Sequence, residues 1–150
     1  MNNYKKFLIM VLTATVIMYG LMYLNTYEWD HVFFSQTRLF MTLIMGAVMA
    51  IVMLLFMRNM YTNKRTNTGI IVGSLILFVL SFWLVRSQTT VADVSYMRAM
   101  IPHHSIAILT SERANIKDPR VREIADQIIE AQVREIAEMK ELLADLEDNQ

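Results

Sequence analysis

The chain has 150 residues, 55% of them apolar, with fourteen basic and fourteen acidic side chains and no cysteine. The missing cysteines exclude disulfides and thiolate metal centres, and a net charge of zero supplies no basic field for nucleic acid. That zero hides an asymmetry: residues 1–86 carry seven Lys/Arg against two acids, and residues 87–150 carry seven against twelve.

Three runs, about 7–24, 39–57 and 69–85, contain no charged residue and are each about long enough to cross a hydrocarbon core. Lys5 and Lys6 precede the first run as in a secretory signal, but the run is long and lacks small residues spaced for cleavage, so it reads as a retained anchor. Residues 1–86 are therefore expected to form a membrane domain of three transmembrane helices. Basic residues ahead of the first helix and in the second connection (Arg58, Lys64, Arg65) place those ends in the cytoplasm. The first connection, Asn25 to Arg38, with Glu28, Asp30 and His31, then lies outside, and three crossings put residues 87–150 outside as well. Tyr23, Tyr27, Trp29 and Trp83 suit the outer interfacial belt. The second helix repeats methionine every four residues, at Met41, Met45, Met49, Met53 and Met57, which reads as flexible packing rather than a thioether track for copper(I). Gly46 with Ala50, and Gly69 with Gly73, are small-xxx-small pairs that predict close helix contacts.

After a polar link at residues 87–90, a fourth helix is predicted from about Val91 to Asn115, with Pro102 inside it and able to kink it beside His103 and His104. Asp118 before Pro119 combines a capping acceptor with the residue best suited to the first helical position, and starts a fifth helix that runs to about Leu146. The short turn between them predicts an antiparallel hairpin. On the fourth helix Met97, Met100 and His104 share one stripe; on the fifth, Gln132, Glu135 and Met139 share another. With the turn as hinge, Met97 should face Met139, Met100 should face Glu135, and His104 should face Gln132. The apolar stripe of the fifth helix, from Val121 and Ile124 through Ile128, Ile129, Val133 and Ile136 to Leu142, Leu143 and Leu146, is wider than a two-helix seam. A second hairpin is expected to cover the remainder and complete a four-helix bundle by self-association. The fold class expected is all-α.

Thioethers and imidazole are soft and borderline donors, so Met97, Met100, His104 and Met139 form a candidate site that favours copper(I) over zinc. Glu135 and Gln132 would orient the histidine from behind, while His103 is rotated off the seam. The alternative is a buried polar network that fixes bundle register. A dinuclear iron centre in the bundle would need Glu-x-x-His pairs, and residues 87–150 contain none, so oxygen-activating catalysis is not expected and the chain is read as a non-enzyme.

The run Met97-x-x-Met100-Ile-Pro-His103-His104-x-x-Ala107-Ile108, followed by Val121-Arg-x-x-Ala125-x-x-Ile128-Ile129-x-x-Gln132-x-x-Glu135-Ile136-x-x-Met139, resembles the bacterial "domain of unknown function 305" family over about residues 93–146. That family is ferritin-like and helical, and includes periplasmic copper-binding proteins. The resemblance implies a copper-linked role carried by Met97, Met100, His103, His104 and Met139, with Gln132 and Glu135 as the matched polar pair. Thr110 and Leu142 stand where members often have methionine and tryptophan, which reduces the implied ligand count. Many members carry the hairpin twice, and the single copy here again implies a homo-oligomer. Two function classes follow. One is a multi-pass protein of the bacterial cytoplasmic membrane that captures or buffers copper at the outer face. The other is an interaction module whose hairpin serves only oligomerisation.

Overall fold

A computed structural model describes residues 3–148. Among them there are five α-helices and one short 3-10 turn, and no strand: α1 (Asn3–Leu21), the turn Trp29–His31, α2 (Gln36–Phe56), α3 (Lys64–Ser87), α4 (Asp93–Arg113) and α5 (Pro119–Asp148). The protein is all-α, as its periodicities predict. Helices α1, α2 and α3 are each long and apolar enough to cross a membrane. They begin a few residues earlier than the uncharged runs, because polar residues such as Lys5, Arg38 and Lys64 extend a helix without lengthening its apolar part.

The chain divides into two compact units. One comprises α1, α2 and α3; the other joins Tyr23–Gln36, the connection between α1 and α2, to the chain from Val91 onward. A linear division at residue 86 cannot capture the second unit, because one of its two pieces lies inside the membrane half of the sequence.

In the first unit, Phe7 of α1, Ala50 and Leu54 of α2, and Tyr61 form a buried cluster, against which Met53, Met57, Ile70 and Ile71 pack. Two of the five methionines at four-residue spacing thus fill the core, which agrees with the packing reading. Gly46 lets α1 approach α2 closely: a Cβ there would meet Thr15 Oγ1 at 2.6 Å. Gly69 and Gly73 make no such contact, since a Cβ at either would meet nothing within 4 Å. The close contact expected of that pair is not formed within the unit, where instead the two glycines help line an apolar cavity of about 290 Å³ with Phe7, Val11, Thr15 and Ala47.

In the second unit, α4 and α5 form the predicted antiparallel hairpin around Met97, Ile101, Ile108, Ile136 and Leu143. Pro102 is fully buried and α4 runs through it without a break. Asp118 starts α5 as expected. Its carboxylate accepts from the backbone N–H of Arg120 at 2.9 Å and from that residue's guanidinium at 2.8 Å, and these bonds hold the Asp118 carboxyl below its ordinary value.

The connection Tyr23–Gln36 is a strap laid against this hairpin. Tyr27 and Phe33 pack on the hairpin core, so Tyr27 is a core contact rather than a free member of an interfacial belt, whereas Trp29 remains 86% exposed. The strap accounts for part of the width of the α5 stripe, because Val133, Ile136 and Ala137 line a cavity of about 230 Å³ together with Tyr27, Glu28 and His31. On the opposite flank of α5, Val121, Ile124, Ile128 and Leu142 stay exposed.

Candidate metal centre and the strap

His104 and Glu135 meet across the hairpin, with Nε2 to Oε2 at 2.7 Å. The partner of His104 is therefore Glu135, one helical turn beyond the expected Gln132. Farther from the turn, Arg98 pairs with Glu147 at 2.6 Å. The one-turn displacement of the His104 pair has a geometric reason. Helical side chains lean toward the N-terminus of their own helix, so in an antiparallel pair the α4 side chain leans away from the turn and the α5 side chain leans back toward it. They meet when the α5 residue is about one turn farther from the hinge.

A carboxylate only accepts hydrogen bonds, so His104 Nε2 carries the hydrogen and a neutral imidazole keeps its lone pair on Nδ1. Among the described residues, that Nδ1 is a buried side-chain atom with no hydrogen-bond partner. An unbonded acceptor in a side chain 12% exposed is costly unless something fills its lone pair. Imidazole held by a carboxylate through one nitrogen, with the other nitrogen free, is the arrangement by which proteins present histidine to a metal. The residues present thus fit a metal ion at His104.

The sulfur donors are placed unevenly. Met100, half-buried, lies one turn before His104 on α4, at a spacing that brings side chains together, and the lean of His104 carries it over that turn. Met97 is buried in the hairpin core and Met139 packs against the same core, so both thioethers already have apolar neighbours. His103 is exposed, its ring tilted 64° to that of His104 with centroids 6.2 Å apart. Gln132 is half-buried on α5.

The strap side of the hairpin carries a second polar group that periodicity did not reveal. The backbone N–H of Tyr27 donates to Ser105 Oγ at 2.6 Å, and Ser105 Oγ lies 3.0 Å from His31 Nδ1. Ser105 and His31 are 0% and 6% exposed. Having accepted from Tyr27, the Ser105 hydroxyl is free to donate to Nδ1, which places the His31 hydrogen on Nε2, 3.8 Å from both Glu28 and Asp30. Lys140 of α5 caps Asp30 at 2.5 Å and holds its carboxyl below the ordinary value. Glu28, Asp30 and His31 bring ligand atoms within 4.8 Å of one another, but the cation they face is the protein's own ammonium. Burial is the main cause holding His31 below its ordinary value; Lys140 adds to it, and Asp30 and Glu28 oppose it. The only local sign of this group is the run Glu28-Trp-Asp-His31; the strap has no helical or strand period, and its contact with Ser105 spans 78 residues.

Residues 84–150 match the family described as "Domain of unknown function (DUF305)". An uncharacterized protein of Acanthamoeba polyphaga mimivirus is 36% identical over 80 residues, which cover 52% of this chain and 52% of that protein. The aligned part thus spans about half the length of that relative. No solved structure matches the chain.

Proposed function

On the footing that the C-terminal part of the chain is a DUF305 domain, we propose that it binds copper, with copper(I) favoured. The protein is then a membrane-anchored, non-enzymatic device for capturing or buffering that metal outside the cytoplasmic membrane. The observation that carries this reading is the orphaned Nδ1 of His104, held by Glu135 through the other nitrogen. The donors are His104 Nδ1 and the Met100 thioether, with Met97 and Met139 available where the core yields. His103 stands beside the site for a second ion or a neighbouring chain, and Gln132 flanks it. Copper is cargo here, and the chain's own part is to orient an imidazole and offer soft sulfur in an apolar setting.

The test is competition of the full chain, in detergent micelles, against a copper(I) chelator. Met97→Leu combined with Met100→Leu removes two sulfurs while keeping size and apolarity, so the fold should persist and copper(I) affinity should fall at least tenfold. A double variant that binds as tightly as the parent would assign the methionines to packing alone.

The placement belongs to the same proposal. Basic residues at Lys5, Lys6, Arg58, Lys64 and Arg65 put those ends in the cytoplasm, so α1 leads out to the strap and α3 brings the hairpin to that same side. Reporter fusions after Asn63 and after Gln150 should report opposite sides of the membrane; two cytoplasmic readings would sink the extracytoplasmic assignment. A second reading, in which the hairpin is an oligomerisation device, draws on the exposed flank of Val121, Ile124, Ile128 and Leu142. The two are compatible, because a second copy over that flank would complete a four-helix bundle and shield the 44% exposed Glu135 side chain from water.

A further inference from the structure

We infer that the Tyr23–Gln36 strap is a pH-sensitive clasp: its seat on the α4/α5 hairpin requires neutral His31, and acidification releases it. The strap is held to the hairpin by several polar connections, among them a bond from Gln36 Nε2 to Ser95 Oγ at 3.1 Å and one between Tyr27 and Glu112, and by an apolar one; two of the polar connections involve His31 and its neighbours. The first runs from the Tyr27 N–H through Ser105 Oγ to His31 Nδ1. The second is the Asp30–Lys140 ion pair, and the apolar connection is the packing of Tyr27 and Phe33 on the core.

Only the first connection depends on a group that titrates near neutrality. Ser105 Oγ accepts from Tyr27 and donates to Nδ1. A proton on Nδ1 turns that nitrogen into a donor aimed at a hydroxyl whose own hydrogen must then leave, in a site where Ser105 has no access to solvent. The groups facing His31 are Glu28 and Asp30 on the strap, Lys140 on α5 and Ser105 on α4. The two carboxylates favour the cation, but burial and Lys140 disfavour it, and the net direction is downward. Asp30, lowered by Lys140, stays ionised throughout the window that matters.

The direction of linkage follows. In the released strap His31 regains an ordinary value near 6.5, whereas seated it binds its proton less readily. The seated form carries fewer protons, so its advantage is full above about pH 6.5 and declines as pH falls below it. Release is favoured by up to about tenfold per pH unit between the two values. Release uncovers Ile108 and Ile136 on the strap flank of the hairpin. The inference does not depend on metal binding.

The experiment is hydrogen exchange on the full chain in detergent micelles at pH 7.5 and 5.5, corrected for intrinsic exchange. Protection of residues 23–36 should fall severalfold, up to about tenfold, on acidification while that of α5 is unchanged; equal strap protection at both values overturns the inference. His31→Asn keeps an acceptor near the position of Nδ1 but cannot take up the proton, so its strap should stay protected at both values. If it opens on acidification as the parent does, the proton acts elsewhere and the inference fails. Should that variant leave the strap unseated at both values, a histidine NMR titration of the parent decides. His31 must titrate below the same residue in a free 23–36 peptide, and titration at or above the peptide's value overturns the clasp.

Discussion

Replacing His104 by alanine is expected to abolish copper(I) binding in competition with a chelator, and Glu135→Gln is expected to weaken it by about 10–100-fold. The two variants separate the metal reading from a structural one. If His104 and Glu135 merely neutralise each other, either change costs stability in similar measure and neither has a metal-specific signature. If Glu135 orients the imidazole, Glu135→Gln still presents a side-chain carbonyl that accepts from Nε2–H, so the hairpin stays folded while the ring loses the basicity that an ionised acceptor lends it. Affinity should then drop without loss of helicity by circular dichroism. Unchanged copper(I) affinity in His104→Ala would remove His104 from the site.

A charge at Ile136 should unfold the hairpin, whereas the same charge at Ile128 should leave it folded and weaken only its association. Ile136 is 4% exposed in the core with Met97 and Leu143. Ile136→Asp buries a carboxylate without a partner, a change that costs roughly 3–5 kcal/mol, which is a large share of what a small helical unit has to lose. Ile128 is 38% exposed on the flank away from the strap, where Ile128→Asp meets water in a single copy and an apolar neighbour in a pair. Thermal unfolding should register the first substitution and sedimentation in density-matched detergent the second. A parent that sediments as a monomer would leave the flank without a second copy to cover it.

The elements that were legible in the sequence are those that rest on local rules. Uncharged runs mark α1, α2 and α3, the Asp118-Pro119 pair marks the start of α5, and helical spacing puts Met97, Met100 and His104 on one stripe. The pairing of His104 with Glu135 was legible to within a turn, because a constant hinge fixes backbone register but not the lean of the side chains. The seating of the strap was not legible. Its residues have no period to read, and whether His31 lies in water or under Ser105 depends on a contact made across two intervening helices. The unpaired Gly69 and Gly73 show the converse: a local motif that tertiary packing within the unit leaves unused.

The second unit is assembled from pieces at opposite ends of the reading order, and this imposes a schedule on its biogenesis. Tyr27 is synthesised 78 residues before Ser105, an interval of about 4–16 s at ribosomal rates of roughly 5–20 residues per second. During that interval α2 and α3 must be made and inserted while Tyr27, Phe33 and His31 have nothing to pack against. The strap therefore waits in an unfinished state until α4 and α5 arrive. A chain truncated before α5 would leave the strap unseated for good, which gives quality control an exposed aromatic segment by which to recognise an incomplete protein.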